Sequence, residues 1–270
     1  MAVKLALAQT TSSSRWKDNV VKAEKYTKEA KRQGAKLILF PEYFMMYYPA
    51  KEADYRNGAQ GLDGPFMRKM KIIAKKYEMW MIAGMNERSV DKEKSYNTMV
   101  LLNDSGEIVG TYRKNHLFNA FSWQESTDTL EGEKMFMPVD SPVGMIGLGI
   151  CYDLRFPEVA RLAACDGAQI MFYPSAWVKG NMKYEQWEAL LRARAIENEM
   201  YVFGCCHYSK EHYMGRSLGY DPSGQKVLEG QEKEQLLMCE IDLGNIQKVR
   251  RENPVFENRR TDLYSLSYKK

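Results

Sequence analysis

Short apolar runs and helix-patterned segments alternate along this chain from end to end, and that alternation leaves few folds open. Residues 3–9 alternate apolar and polar side chains and predict a strand. Residues 17–33, rich in Lys, Glu and Ala, predict a helix that stops at Gly34, a residue suited to the turn past a helix end. Leu37-Ile38-Leu39-Phe40 is a continuous apolar run of the kind found in buried strands, and Pro41 ends it. Phe66, Met70, Ile73 and Tyr77 recur at helical spacing, and residues 79–85 predict another buried strand. Residues 96–102 and 107–114 predict two strands around the turn Asn103-Asp104-Ser105-Gly106. Residues 143–151 predict a strand with Cys151 at its end, and Pro157 suits the first position of a following helix. A strand at 170–173 and a helical face of Tyr184, Trp187, Leu190, Leu191, Arg194 and Ala195 come next. Further strands are predicted at 200–206, 217–220, 226–228 and 235–241, with a turn at Asp221-Pro222-Ser223-Gly224. Hairpins mixed with strand–helix alternation predict an α/β chain, mixed sheets covered by helices. No linker or low-complexity segment interrupts the pattern, so one domain over residues 1–270 is expected.

Charge and cysteine usage exclude several functions. The 39 basic and 35 acidic residues give a net charge of +4, and the two signs interleave. Only short pieces such as Arg250-Arg251 and Arg259-Arg260 group like charges, so no nucleic-acid partner is expected. No run of 18 apolar residues is present and the N-terminus lacks a signal-peptide pattern, so neither a membrane nor export is expected. The five cysteines follow no disulfide spacing and read as reduced thiols in the cytoplasm.

Three ionisable residues stand at predicted strand ends: Glu42, Lys114 and Cys151. Side chains at such ends leave the core and enter a crevice. Each also has an ordinary reading: a helix-start charge, a solvated edge lysine, a small buried thiol. Together they suit nucleophilic chemistry. A thiol attacking an amide needs a base, a positive charge where the oxyanion develops, and an acid for the leaving amine. The three histidines, His116, His207 and His212, lie in no cysteine-protease signature. A carboxylate in apolar surroundings can serve as the base instead. His and Cys show no zinc-ligand spacing.

The segments Phe40-Pro41-Glu42, Tyr112-Arg113-Lys114-Asn115-His116-Leu117-Phe118 and Gly149-Ile150-Cys151-Tyr152-Asp153-Leu154-Arg155-Phe156-Pro157-Glu158 resemble the three signature segments of the nitrilase superfamily, in the same order. Tyr173-Pro174-Ser175-Ala176, the run from Arg192 to Asn198 and the ending around Pro254 and Arg260 extend the likeness over nearly the whole chain. The resemblance implies a four-layer α-β-β-α sandwich, a homodimer or higher homo-oligomer, and no metal or organic cofactor. It implies Cys151 as nucleophile, Glu42 as general base and Lys114 as oxyanion partner, with the backbone N–H of Tyr152 as second donor. Glu125 matches a supporting glutamate that orients Lys114.

Within that superfamily, Cys151-Tyr152-Asp153 resembles the amidase branches, the omega-amidase-like branch above all. Ser175-Ala176-Trp177 and Met214-Gly215-Arg216-Ser217 depart from that branch near the pocket. The expected substrate is a small amide bearing a carboxylate; an N-carbamoyl amine or N-carbamoyl amino acid is the alternative. Arg155 is the candidate for holding a substrate carboxylate in a fork, against a structural ion pair with Glu158. Tyr48 and Trp177 are further candidates for the pocket wall. Two other classes stay open: a non-catalytic binding subunit, and a redox protein built on Cys205-Cys206.

Overall fold

Side-chain alternation along the strands divides the apolar residues into three separate layers, and these layers set the architecture. The computed structural model describes residues 2–47, 58–91 and 93–268. Its first half runs β1 (Ala2–Gln9), α1 (Trp16–Arg32), β2 (Leu37–Leu39), α2 (Pro65–Tyr77), β3 (Trp80–Arg88), β4 (Ser95–Leu102) and β5 (Ile108–Arg113). Three two-residue strands follow: β6 (Asn119–Ala120), β7 (Trp123–Gln124) and β8 (Thr129–Leu130). The second half runs β9 (Ile146–Leu148), α3 (Pro157–Cys165), β10 (Ile170–Ser175), α4 (Lys183–Asn198), β11 (Tyr201–Cys206), β12 (Leu218–Tyr220), β13 (Lys226–Glu229), β14 (Gln235–Asp242) and α5 (Gly244–Glu252).

One sheet has the order β14-β1-β2-β3-β4-β5, with β8 beside β4; the other has the order β13-β12-β11-β10-β9. Leu5 and Leu7 of β1, and Leu37 and Leu39 of β2, face Ile170 and Phe172 of β10 and Phe203 of β11 across the space between the sheets. The alternate residues Ala6, Ala8 and Ile38 point the other way, onto Ala23 and Ala30 of α1 and Phe66 and Met70 of α2. In the second sheet Met171 and Val202 turn outward onto Val159 of α3 and Trp187 and Leu191 of α4. The period of two along each strand therefore produces helix, sheet, sheet, helix. This is the four-layer sandwich.

Most predicted elements are present within a residue or two. The strand predicted at 143–151 is the exception: only Ile146–Leu148 is extended. Gly144 has φ +114° in a turn closed by Ser141, and Cys151 opens a 3₁₀ turn, Cys151–Arg155, with φ +46°. The apolar run is continuous because both ends are buried, and burial alone does not distinguish a strand from a tight turn. Helix α5 and the three short strands had no readable pattern. No helix among the described residues is long and apolar enough to cross a membrane.

Phe172 and Phe203 stack between the sheets with ring centroids 5.9 Å apart, and both are fully buried. Phe172→Ala should lower unfolding free energy by about 3–5 kcal/mol, the usual cost of emptying such a site. Urea denaturation read by fluorescence and far-UV circular dichroism checks this, with a lowered midpoint at unchanged slope as the expected result.

Candidate active site

The carboxyl ends of β2, β5, β9 and β10 converge at one edge of the paired sheets, and the chain just beyond each end delivers one polar group. Glu42 follows β2. Its backbone is pressed against β3, where a Cβ on Gly84 would come within 2.7 Å of the Tyr43 nitrogen and 2.8 Å of the Pro41 oxygen, so only glycine allows that approach. Lys114 follows β5 and donates its backbone N–H to Asn97 of β4 at 2.9 Å. Cys151 lies three residues past β9, and Ala176 one residue past β10. The Tyr152 N–H belongs to the open first turn of Cys151–Arg155, among the donors such a turn does not satisfy internally.

Lys114 is buried, with its ammonium 3.0 Å from Glu42 Oε1 and 2.8 Å from Glu125 Oε2. A lysine past an exposed hairpin is expected in solvent, so this burial is the first sign of a functional role. Asn97 bridges the two carboxylates: its Nδ2 donates to Glu42 Oε1 at 2.7 Å and to Glu125 Oε1 at 3.2 Å. Glu125 also accepts from the Tyr43 hydroxyl at 2.9 Å and the Phe118 backbone N–H at 2.7 Å. The other oxygen of Glu42 accepts from the Ala176 N–H at 2.7 Å. Glu125 is thus part of the charged cluster rather than a loop carboxylate.

Electrostatics follow from this packing. Burial pushes the Lys114 ammonium toward neutrality, but the charges of Glu125 and Glu42 outweigh it and hold its pKa well above the ordinary lysine value. Burial raises Glu125, yet the Lys114 charge and the donors around it leave its pKa below the usual carboxylate value. Burial and the negative charge of Glu42 push the Cys151 thiol well above its ordinary pKa, against the smaller pull of Lys114. Both effects favour the protonated thiol at Cys151, beside the Glu42 carboxyl.

Asp153, fully buried, fixes the turn that carries the thiol. Its Oδ2 accepts from the Tyr112 hydroxyl at 2.9 Å and the Ile150 N–H at 2.8 Å; its Oδ1 accepts from the His116 N–H at 3.1 Å. Arg194 of α4 donates to the Leu154 carbonyl at 2.9 Å from the other side. His207 lies between carbonyl oxygens of Thr10 and Glu42, its Nδ1 at 2.9 Å and Nε2 at 2.5 Å, tying β11 to the Glu42 segment.

Cys151, Glu42, Lys114 and Glu125 line one pocket of about 390 Å³. Tyr152, Arg155 and Trp177 line it too, as does Tyr47; Tyr48 falls outside the described residues. Arg155 makes no ion pair with Glu158. It donates to Gln186 Oε1 at 2.7 Å and sits 5.1 Å from the centre of the Trp177 ring. Met45 and Met46 are core residues. Cys205 and Cys206 point to opposite faces of β11, one into the inter-sheet layer and one toward α3 and α4, so they are not a redox pair. Sequence reasoning missed that Asn97, Tyr43 and Asp153 make the hydrogen bonds of this site and that Lys183 lines the pocket. Asn97 reads as an ordinary strand residue and Lys183 as one of several surface lysines. Only Asp153, inside the matched Cys151 segment, carried a signal. Among the described residues no group of three or more His, Cys, Asp or Glu is placed to hold a metal ion.

A thiol, a carboxylate and an ammonium gathered at the end of two facing sheets define a thiol hydrolase of the α/β class. Residues 4–251 match the carbon–nitrogen hydrolase family. Deaminated glutathione amidase of Bos taurus is 36% identical over 96% of this chain and 83% of its own length. Human omega-amidase NIT2 is 34% identical over 99% of this chain and 98% of its own. The crystal structure of the Caenorhabditis elegans NitFhit protein superposes with a TM-score of 0.90 at 31% identity, covering 99% of this chain and 68% of that one. Saccharomyces cerevisiae Nit3, a member of branch 10 of the nitrilase superfamily, superposes with a TM-score of 0.85 at 31% identity, covering 96% and 97%. The chain belongs to the carbon–nitrogen hydrolase family, within the nitrilase superfamily.

Glu125 has a folded pKa below its unfolded one, so its stabilisation is present above about pH 4.5 and is lost as pH falls through the folded value. Glu125→Gln should therefore cost about 3 kcal/mol at pH 7, where it breaks a buried pair. The gap between wild type and variant should shrink below pH 4. Urea titrations of both proteins at pH 7 and pH 3.5 check this; a gap of equal size at both would assign the loss to shape rather than charge.

Proposed function

We propose that this chain hydrolyses the C–N bond of a small linear amide whose acyl part carries a carboxylate, through a thioester on Cys151. The Cys151 thiol attacks the carbonyl carbon as Glu42 takes its proton. The oxyanion forms beside the Lys114 ammonium and the Tyr152 N–H, which meet charge that exists only in the tetrahedral state. Glu42 then protonates the nitrogen, the C–N bond breaks, ammonia leaves and the thioester remains. Water gives a proton to Glu42, adds to the thioester and forms a second tetrahedral state. Its collapse releases the acid, and the sulfur recovers its proton from Glu42. Glu125 and Asn97 hold Lys114 and Glu42 in place throughout.

The single observation that carries this reading is the buried contact of Lys114 with both Glu42 and Glu125 on the pocket floor beside Cys151. Arg155 supports the anionic substrate: it lines the same pocket and donates its hydrogen bond to the Gln186 amide oxygen, not to a carboxylate. The names of the relatives, an omega-amidase and a deaminated glutathione amidase, agree with amide cleavage. The same reading places the enzyme in the cytoplasm as a homodimer. Five unpaired cysteines suit a reducing compartment, and the dimer follows from the superfamily likeness. Sedimentation of the purified protein tests the dimer.

Cys151→Ala should give a folded protein that releases no ammonia from any amide, and near wild-type turnover would overturn the mechanism. Lys114→Gln should lower kcat by about 10²–10³ with little change in KM. A large rise in KM at constant kcat would make Lys114 a ground-state binding group instead.

Arg155→Met should cost carboxylate-bearing amides about 10- to 150-fold in kcat/KM, the worth of a fork-like contact of about 1.5–3 kcal/mol, and spare neutral amides. Ammonia release from 2-oxosuccinamate, a carbamoyl amino acid, a carbamoyl amine and a neutral short amide measures this. Equal loss on all four would make Arg155 a packing residue. Activity should persist after prolonged dialysis against EDTA, since the steps use only the thiol, charged side chains and water; loss restored by one metal ion would require another mechanism.

A further inference from the structure

We infer that Lys183 and Arg155 form a two-point anion receptor on the outer wall of the pocket, which selects amides whose acyl part bears two negative charges. This rests on the amide-hydrolase reading above and concerns the wall of the pocket rather than its floor. Lys183 is the first residue of α4, half-buried, and its ammonium lies 4.2 Å from the centre of the Phe121 ring and 5.9 Å from that of Phe118. It lines the same cavity as Cys151 and Arg155. Among the described residues neither Lys183 nor Arg155 makes a salt bridge to a carboxylate, whereas Lys179 on the same rim is already engaged, by Glu232 at 4.0 Å and by the Lys210 carbonyl at 2.9 Å.

Trp177 touches both residues that carry the cations. Its ring faces the Arg155 guanidinium, and its Nε1–H donates to the Lys183 carbonyl at 2.9 Å. Trp177 is itself buried against Trp187. Two like charges thus line one partly desolvated wall. Their repulsion is expressed at Lys183, whose pKa burial lowers first and Arg155 lowers further. An anionic ligand removes that repulsion. One carboxylate neutralises one cation; a cavity of about 390 Å³ has room for an acyl group with a second. Neither aromatic partner of Lys183 can neutralise it, since a ring face offers only a quadrupole.

The test uses the full chain and three matched amides: pentanamide, glutaramate, and glutaramate with a second carboxylate on carbon 3. They carry zero, one and two negative charges on one backbone. Ammonia release gives kcat/KM for wild type, Lys183→Met, Lys183→Arg and Arg155→Met. Calorimetric titration of the same amides into Cys151→Ala and Cys151→Ala/Lys183→Met gives Kd without turnover. The wild type should prefer the dicarboxylate over glutaramate about tenfold or more, the scale of one charge-assisted contact. Lys183→Met should abolish most of that ratio in both kcat/KM and Kd, Lys183→Arg should keep it, and Arg155→Met should weaken both anions relative to pentanamide. Absence of a wild-type preference, or a Lys183→Met effect equal on one and two charges, overturns the receptor. If the wild type hydrolyses no amide, the hydrolase reading falls, and the calorimetric ratio alone then decides the receptor.

Discussion

One buried ammonium between two buried carboxylates governs the rest of this structure. Removing Lys114 from water is costly, and only close opposite charges with satisfied hydrogen bonds offset that cost. Glu42 and Glu125 supply the charge, and Asn97, Tyr43 and the Phe118 and Ala176 N–H groups hold the carboxylates. These partners come from both sheets and from the segment between them. The cluster is complete only when the two halves of the sandwich are correctly docked, so folding and assembly of the chemistry are one event. The same charge balance sets the state of the nucleophile. With two carboxylates facing one ammonium, a thiolate at Cys151 would add a further negative charge to a dry site. Burial and the negative charge of Glu42 therefore favour the protonated thiol at Cys151.

The thiol is positioned by a backbone that departs from regular structure. Cys151 sits at φ +46°, sparsely populated for a residue with a side chain, and that cost persists only because the surroundings over-determine the turn. Asp153 ties the turn to Tyr112 and His116, and Arg194 ties it to α4. The position that presents the sulfur to the pocket is thus held from three directions by residues that need not touch a substrate.

Floor and wall of the pocket have different characters. The floor is closed and charge-paired, as chemistry that must not leak protons to water requires. The wall carries Arg155 over the buried Trp177 ring and Lys183 over the exposed Phe121 ring, neither cation in a salt bridge among the described residues. The floor is set by the sandwich itself, whereas Trp177 and the start of α4, which line the wall, lie outside both sheets.

The sequence by itself determined the α/β layering and pointed to a candidate reactive trio, which the structure brings together in one pocket. Strand periodicity assigns each apolar residue to one of two faces, and that assignment survives folding because it follows from backbone geometry alone. Glu42, Lys114 and Cys151 were legible because their segments match a superfamily's motifs; composition and spacing alone left each with an ordinary reading. The sequence could not determine that the run at 143–151 breaks into a turn at both ends, since burial gives strands and buried turns the same apolar composition. Nor could it separate Asn97 from any polar strand residue, Lys183 from any surface lysine, or Arg155 from a partner of Glu158. Those distinctions rest on contacts between residues such as Asn97 and Glu42, 55 positions apart. Such contacts exist only once the sheets pack, and tertiary structure alone decides which lysine is buried, which arginine is left without a carboxylate, and which strand residue bridges two acids.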